Sequence, residues 1–172
     1  MKSIEITLPD NSKKSFPAGV TAQEVADSIG PGLARAVVVA KVNGELKDLN
    51  QEINENSDLE LFTGDTTEGH DTLLHSTAHL MAQAVKELYP EAKITIGPTI
   101  ENGFYYDFDL DESISEASLE KIEQKMKELA RSGQKIIGNE ISVSKAIDIF
   151  EKLGEPYKVE IIKQINPDDV IT

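Results

Sequence analysis

Turn and cap signals follow one another so closely in residues 1–62 that this region has room only for short strands and short helical segments. Ile4, Ile6 and Leu8 alternate with polar residues, which is the period of a half-buried strand. The segment Thr21-Ala22-Gln23-Glu24 has the pattern of a capping box, which predicts a helix that begins there. Segments of this length bury an apolar core only by packing on one another, so we expect one small β-rich unit.

The predicted elements of residues 1–62 have the order β-β-α-β-β-β. They are strands at 4–8 and 13–16 around a turn at 9–12, a helix at 22–29 ended by Gly30-Pro31-Gly32, a strand from Val37, a hairpin at Asn43-Gly44 and a last strand at 59–62. One helix packed on a mixed sheet in this order predicts an α+β fold of the ubiquitin-like β-grasp type.

Residues 63–71 are polar and show no apolar period, so we predict a linker there and a second α+β unit at residues 72–172. Its predicted elements are a helix at about 72–88, a hairpin of strands 94–100 and 104–110, a helix at 115–131, a strand at 136–143 and a helix that Ser144 caps and Gly154 ends. The first helix would bury a stripe of Leu74, Ala78, Met81, Val85 and Leu88, and the second would bury Leu119, Ile122, Met126 and Leu129. A further strand is expected to begin near Val170, so we expect the second unit to be truncated.

Composition and charge exclude several classes of function. The chain has no cysteine, no long apolar run and no apolar core near its first residue, so we expect a cytoplasmic protein without a membrane segment or signal peptide. Its net charge is −14, which should repel a phosphate backbone. If a nucleic acid is the substrate, we expect this chain to contact its end rather than to hold its body.

Two histidines, His75 and His79, lie four residues apart at the edge of the predicted buried stripe. On a helix their Cβ atoms would be roughly 5–6 Å apart on one face, at the margin of a cleft. Such a pair can position a small polar substrate or a water, although an isolated pair at this spacing is more often incidental. A zinc protease is disfavoured, because Ser76 stands where that motif has glutamate. Two imidazoles supply only half of the ligands of a tetrahedral zinc site. His70 is expected to be a linker residue, so no third protein ligand is evident and we predict no metal here.

Four segments of the sequence resemble parts of one family. Residues 1–62 resemble a TGS domain, and Asp71-Thr72-Leu73-Leu74-His75-Ser76-Thr77-Ala78-His79-Leu80 resembles the start of the editing domain of bacterial threonyl-tRNA synthetases. The blocks at 96–107 and 155–160 are similar to later parts of that domain, so the resemblance covers essentially the whole chain. The family completes its editing pocket with a C-x-x-x-H element that this cysteine-free chain lacks, which implies an N-terminal fragment. Editing domains of the alanyl type share the H-x-x-x-H pattern, but the TGS unit argues against them.

The resemblance implies a proofreading function. Threonine and serine differ by one methyl group, which gives a single pocket about 1–3 kcal/mol of discrimination, or roughly 10- to 200-fold. The parent enzyme would attach threonine to tRNA(Thr) with ATP, and this region would contribute to hydrolysis of mischarged Ser-tRNA(Thr). The implied catalytic residues are His75, His79 and Lys158, and the implied substrate-binding residues are Ile96, Gly97, Pro98 and Tyr106. Lys158 would supply a fixed positive charge or, if burial lowers its pKa, would act as a base. The alternative for Lys158 is an ordinary surface lysine, and the alternative for Tyr106 is an ordinary core residue.

The resemblance also implies partners and cofactors. This fragment would need no cofactor, whereas ATP with Mg²⁺ and a catalytic zinc would bind the parent enzyme outside this segment. The partner would be the 3′ end of tRNA(Thr), held mainly by other regions, and the parent would be a homodimer through its catalytic core. The alternative function is a non-enzymatic RNA- or partner-binding module in which the histidine pair is passive.

Overall fold

The structure is a computed structural model that describes residues 2–95, 97–101, 103–111, 113–134 and 137–171. The chain divides into two compact units, residues 1–74 and 75–172. The division falls inside one helix, and the domain bounds that we placed at residues 62 and 72 stay a prediction.

The first unit contains the predicted β-grasp elements and adds short ones. They are β1 (Ser3–Thr7), β2 (Lys13–Pro17), β3 (Val20–Thr21), α1 (Ala22–Ile29), α2 (Pro31–Ala36), β4 (Val37–Val42), β5 (Glu45–Lys47), β6 (Glu52–Ile53) and β7 (Ser57–Thr63). The main sheet has the order β2-β1-β7-β4-β5, with β1 and β7 parallel, and β3 pairs with β6. The α+β fold with an N-terminal ubiquitin-like domain is confirmed. Helix α2 was missed, although Pro31 at its first position favours a helix start there.

Local chemistry fixes the elements of this unit. The Thr21 hydroxyl accepts a hydrogen bond from the Glu24 amide, and the Glu24 carboxylate accepts one from the Thr21 amide, as the capping box predicted. Asn43 and Gly44 both have positive φ, which a tight hairpin of the predicted type requires. The core consists of buried residues from the sheet and from α1, including Ile4, Ile6, Val25 and Leu59.

Helix α3 (Thr67–Leu88) begins five residues before the predicted start, so the predicted irregular structure of residues 67–71 is wrong. The Thr66 hydroxyl accepts a hydrogen bond from the Gly69 amide at 3.1 Å and begins the helix. A Cβ at residue 69 would lie 1.9 Å from the Thr63 carbonyl oxygen, so the first turn needs glycine at this position. These residues lack an apolar period because the turn is mostly exposed, and His70 is an exposed residue of the helix rather than of a loop.

The second unit continues with short strands and three more helices. These are β8 (Lys93–Ile94), β9 (Thr99–Ile100), β10 (Gly103–Phe104), β11 (Phe108–Asp109), α4 (Glu116–Ser132), β12 (Ile141–Ser142), α5 (Val143–Lys152), α6 (Pro156–Ile162) and β13 (Val170–Ile171). The predicted hairpin is present as two pairs, β9 with β10 and β8 with β11. The strand expected near Val170 pairs with β12.

Several predictions for this unit need correction. Ser142, not Ser144, caps α5 by accepting a hydrogen bond from the Lys145 amide. Leu119 is 57% exposed, because α4 turns Ile122 and Leu129 toward the core instead. The predicted strand at 136–143 is confined to Ile141–Ser142 among the described residues; Ile136 lies outside them.

The core of this unit forms where α3 contacts α4. Its buried residues are Ala84, Val85, Ala92, Ile122 and Leu129. Ala78 and Val85 of the predicted stripe are buried, while Leu88 at the end of α3 is exposed. None of the helices in the described part of the chain has the length and apolar character that a membrane crossing requires.

Candidate functional site

His75 and His79 contact each other on α3. Their Nε2 atoms are 2.9 Å apart, and their rings meet edge to face with centroids 4.5 Å apart and an interplanar angle of 74°. When both imidazoles are neutral, this contact requires that one ring carries its proton on Nε2 and donates it, while the other accepts. The pair therefore holds one proton between two nitrogens.

The environment of His79 favours its neutral form. His79 is exposed at the surface, but burial of the rest of its side chain lowers its pKa below the ordinary value of 6.5, and the positive charges of His75 and then Lys158 lower the pKa further. A neutral imidazole can accept a proton, which is what a general base requires. Lys158 is thus one of the positive charges that act on His79.

Lys158 lies in the first turn of α6 and is half-buried. Burial lowers the pKa of Lys158, and the negative charge of Glu155 opposes that shift. Lys158 was predicted from the block at 155–160, and its charge lowers the pKa of His79, although positions 79 and 158 are far apart in sequence. A lysine in such surroundings can hold a positive charge against a developing oxyanion.

Glu155 is the residue of this site that our sequence analysis missed. It is only 6% exposed, and it precedes the first residue of α6. Its Oε1 accepts a bond from Lys86 Nζ at 2.7 Å, and its Oε2 accepts one from the Ile94 amide at 3.0 Å. Its place in the Glu155-Pro156-Tyr157-Lys158 block was the one sequence signal for it. A buried carboxylate needs such partners, because it loses its hydration on burial.

Tyr106 packs against the backbone of Gly97. A Cβ at residue 97 would lie 2.0 Å from Tyr106 Cδ2 and 2.2 Å from Cε2, so this approach requires glycine. The Tyr106 ring stacks on Phe108 with centroids 4.9 Å apart. Burial, and then the charge of Glu155, raise the pKa of Tyr106. The charge of Glu155 thus contributes to the pKa shifts of both Tyr106 and Lys158.

The other residues predicted to bind substrate are Pro98 and Ile96. The Pro98 carbonyl accepts a hydrogen bond from the Tyr105 amide at 3.4 Å, which puts Pro98 beside the Tyr106 segment. Ile96 lies outside the described residues. In this unit the described residues also form a cleft of about 560 Å³, lined by residues that include Leu88, Tyr89 and Ile114, and no predicted site residue lines it.

The described residues offer no built metal site. Within those ranges no three side chains of His, Cys, Asp or Glu converge as metal ligands. His70 belongs to the first compact unit, and His75 and His79 belong to the second.

Comparison with known proteins agrees with the resemblance seen in the sequence. Residues 4–63 match the TGS domain family. The chain is 48% identical over 170 residues to a threonine--tRNA ligase of Citrifermentans bemidjiense, 49% over 168 residues to one of Cupriavidus necator, and 44% over 169 residues to one of Anoxybacillus flavithermus. These matches cover 98–99% of this chain but only 26–27% of the relatives. The chain therefore spans about a quarter of the length of the curated relatives it matches.

Proposed function

We propose that this chain, which contains a TGS domain and corresponds over its length to the N-terminal region of threonine--tRNA ligases, contributes to hydrolytic proofreading of Ser-tRNA(Thr). The observation that supports the proposal is the hydrogen-bonded pair of His75 and His79, together with the positive charge of Lys158 that lowers the pKa of His79. Ester hydrolysis needs a base for a water and a positive charge for an oxyanion, and these groups can supply both.

The proposed reaction begins with a water held at the imidazole pair. The water oxygen bonds to the ester carbonyl carbon of the seryl group while its proton passes to neutral His79, with His75 holding that ring in place. The Lys158 ammonium stabilises the negative oxygen of the tetrahedral intermediate. The bond to the ribose oxygen then breaks, and that oxygen takes the proton back from the imidazolium. The products are free serine and tRNA(Thr).

Two features support these assignments of roles. The low pKa of His79 keeps it unprotonated near neutral pH, as a base must be. Glu155 opposes the effect of burial on Lys158, which favours the charged amine and so the role in oxyanion stabilisation over the role of base. Tyr106 and the backbone at Gly97 and Pro98 would line the pocket, and the 3′ end of tRNA(Thr) would enter it.

The proposal extends to the whole protein. By its relatives, that protein would be a ligase that joins threonine to tRNA(Thr) with ATP, and it would hold Mg²⁺ and a catalytic zinc outside this region. Most tRNA contacts would also lie outside it, because a net charge of −14 disfavours phosphate binding. We further propose a cytoplasmic homodimer assembled through the catalytic core.

The test is deacylation of Ser-tRNA(Thr) by a full-length ligase that carries this region. We expect His79→Ala and Lys158→Ala to lower the hydrolysis rate by roughly 10²–10⁴-fold, the size of a lost general base or oxyanion contact. The matched controls are His70→Ala, on the same helix, and Lys163→Ala, at the end of α6; both should leave the rate unchanged.

Two results would contradict the proposal. One is absence of hydrolysis by the unsubstituted protein, which would favour the binding module with a passive histidine pair. The other is equal rates for the site variants and their matched controls. Threonylation by the same proteins, which should not change, reports whether each variant is folded.

A further inference from the structure

We propose that Glu155 is a positioning residue, whose buried carboxylate fixes the first turn of α6 and holds the Lys158 ammonium, in its charged form, beside the histidine pair. The inference gives the proposed function a residue that lies outside the reacting groups, and it rests on that function for its catalytic meaning. Both carboxylate oxygens of Glu155 accept bonds from protein atoms.

Glu155 contacts two other elements of the unit through its carboxylate. One carboxylate oxygen accepts a bond from Lys86 on α3, and the other accepts a bond from the amide of Ile94 in β8. Lys86 is tied in turn to the Ala92 carbonyl at 2.7 Å. Glu155 thus joins the start of α6 to the helix that carries both histidines and to a neighbouring strand.

Glu155 and Lys158 lie in the same turn at the start of α6. The Glu155 carbonyl accepts a hydrogen bond from the Val159 amide at 3.2 Å, so Glu155 belongs to the turn that contains Lys158. On the other side of this turn, the Tyr157 hydroxyl donates a bond to Asp109 Oδ2 at 2.9 Å in β11. Two side chains therefore fix one helical turn to β8 and β11, which pair with each other.

The negative charge of Glu155 acts on the amines of Lys86 and Lys158. The Glu155 carboxylate lies near two amines, since it pairs with Lys86 and raises the pKa of Lys158 against the effect of burial. Other charged or titratable groups on the packed elements are His75 and His79 on α3, Tyr106 on the β10–β11 segment, Tyr157 on α6, and Lys93 and Asp109 on β8 and β11. The Asp109 carboxylate is engaged by Lys93 and Tyr157, whereas the charge of Glu155 acts on Lys158, so its removal should make the charged form of Lys158 less stable.

The test follows the titration of Lys158 in this chain by NMR, with lysine labelled with ¹³C at the ε-carbon. We expect Glu155→Gln to lower the pKa of Lys158, because the variant keeps the size of the side chain and removes its charge. The matched control is Glu160→Gln on the same helix, whose carboxylate is exposed; it removes the same charge and should leave the Lys158 curve in place.

A second variant tests the same claim with the opposite sign. Lys86→Gln removes a positive charge that neutralises Glu155, so the pKa of Lys158 should rise. If Glu155→Gln does not fold, this variant decides the matter alone. The inference is overturned if Lys158 titrates as in the unsubstituted chain in Lys86→Gln, or if Glu155→Gln and Glu160→Gln shift it equally.

The functional readout is kept separate from the titration. In the full-length ligase Glu155→Gln should reduce kcat for Ser-tRNA(Thr) hydrolysis at least tenfold and leave KM within twofold, because Glu155 does not touch the substrate. It should also move the alkaline limb of the pH–rate profile in the same direction as the Lys158 titration. If the unsubstituted ligase does not hydrolyse Ser-tRNA(Thr), the proposed function fails, while the titration still decides whether Glu155 controls Lys158. A loss of rate without movement of the pH profile would reduce Glu155 to a structural residue.

Discussion

Gly97→Ala should destabilise the second unit by forcing the Tyr106 ring away from its place. A Cβ at residue 97 would lie 2.0, 2.2 and 2.7 Å from three atoms of that ring. Carbon atoms in favourable contact are about 3.5–4.0 Å apart, so the ring would have to move by roughly 1.5 Å. Overpacking of this kind costs about 1–3 kcal/mol, and loss of the stack with Phe108 would add about 0.5–1.5 kcal/mol. We therefore expect a loss of about 1.5–4.5 kcal/mol.

The assay is urea denaturation followed by tyrosine fluorescence. The chain has no tryptophan, and all four tyrosines, Tyr89, Tyr105, Tyr106 and Tyr157, lie in the second unit, so the signal reports that unit alone. Tyr106→Ala removes the clash, and in that background Gly97→Ala should cost less than about 1 kcal/mol. Equal costs of Gly97→Ala with and without the Tyr106 ring would refute the reasoning, because they would show that the ring is not what the new methyl group meets.

Three further predictions concern the helices and the pH response. Thr66→Ala removes the hydroxyl that caps α3 and should lower the stability of the first turn by about 1 kcal/mol. Hydrogen exchange of the Gly69 and His70 amides should then become faster, and unchanged exchange would contradict the early start of the helix. The pKa of His79 is lower in the folded state than in the unfolded chain, so the unfolded chain binds the proton more tightly. The stability of the second unit should therefore fall as the pH drops below about 6.5 toward the folded pKa. His79→Gln should reduce that loss and His70→Gln should not; equal losses in both would show that another group is responsible. Tyr157→Phe should leave the urea midpoint of the second unit unchanged, because the bond from Tyr157 to Asp109 is exposed, whereas a clear fall in the midpoint would indicate a buried contact.

The parts of the fold that could be predicted have local causes. The capping box at Thr21 and the hairpin at Asn43-Gly44 specify their elements through residues within a few positions of each other. The i, i+4 spacing likewise puts His75 and His79 in contact on any regular helix. These signals were enough for the β-grasp order of the first unit and for the histidine pair.

The parts that could not be predicted depend on distant partners. The first turn of α3 looks like a loop in sequence, and its glycine is explained only by the approach of the Thr63 carbonyl. Helix α6 has seven residues, too few to show a helical period. Glu155 resembles any other glutamate until Lys86 and the Ile94 amide, which is 61 residues away, are brought to it. The proximity of Lys158 to the pair was predicted from the family resemblance, since no local pattern links positions 79 and 158.

The most direct test of the central claim, that His79 and Lys158 act in one reaction, is a double-mutant cycle on Ser-tRNA(Thr) hydrolysis under single-turnover conditions. Groups that stabilise one transition state together are strongly non-additive, so the double variant His79→Ala/Lys158→Ala should be about as slow as the slower single variant. If the two losses instead multiply, the two side chains act independently, and the account of a shared site is contradicted.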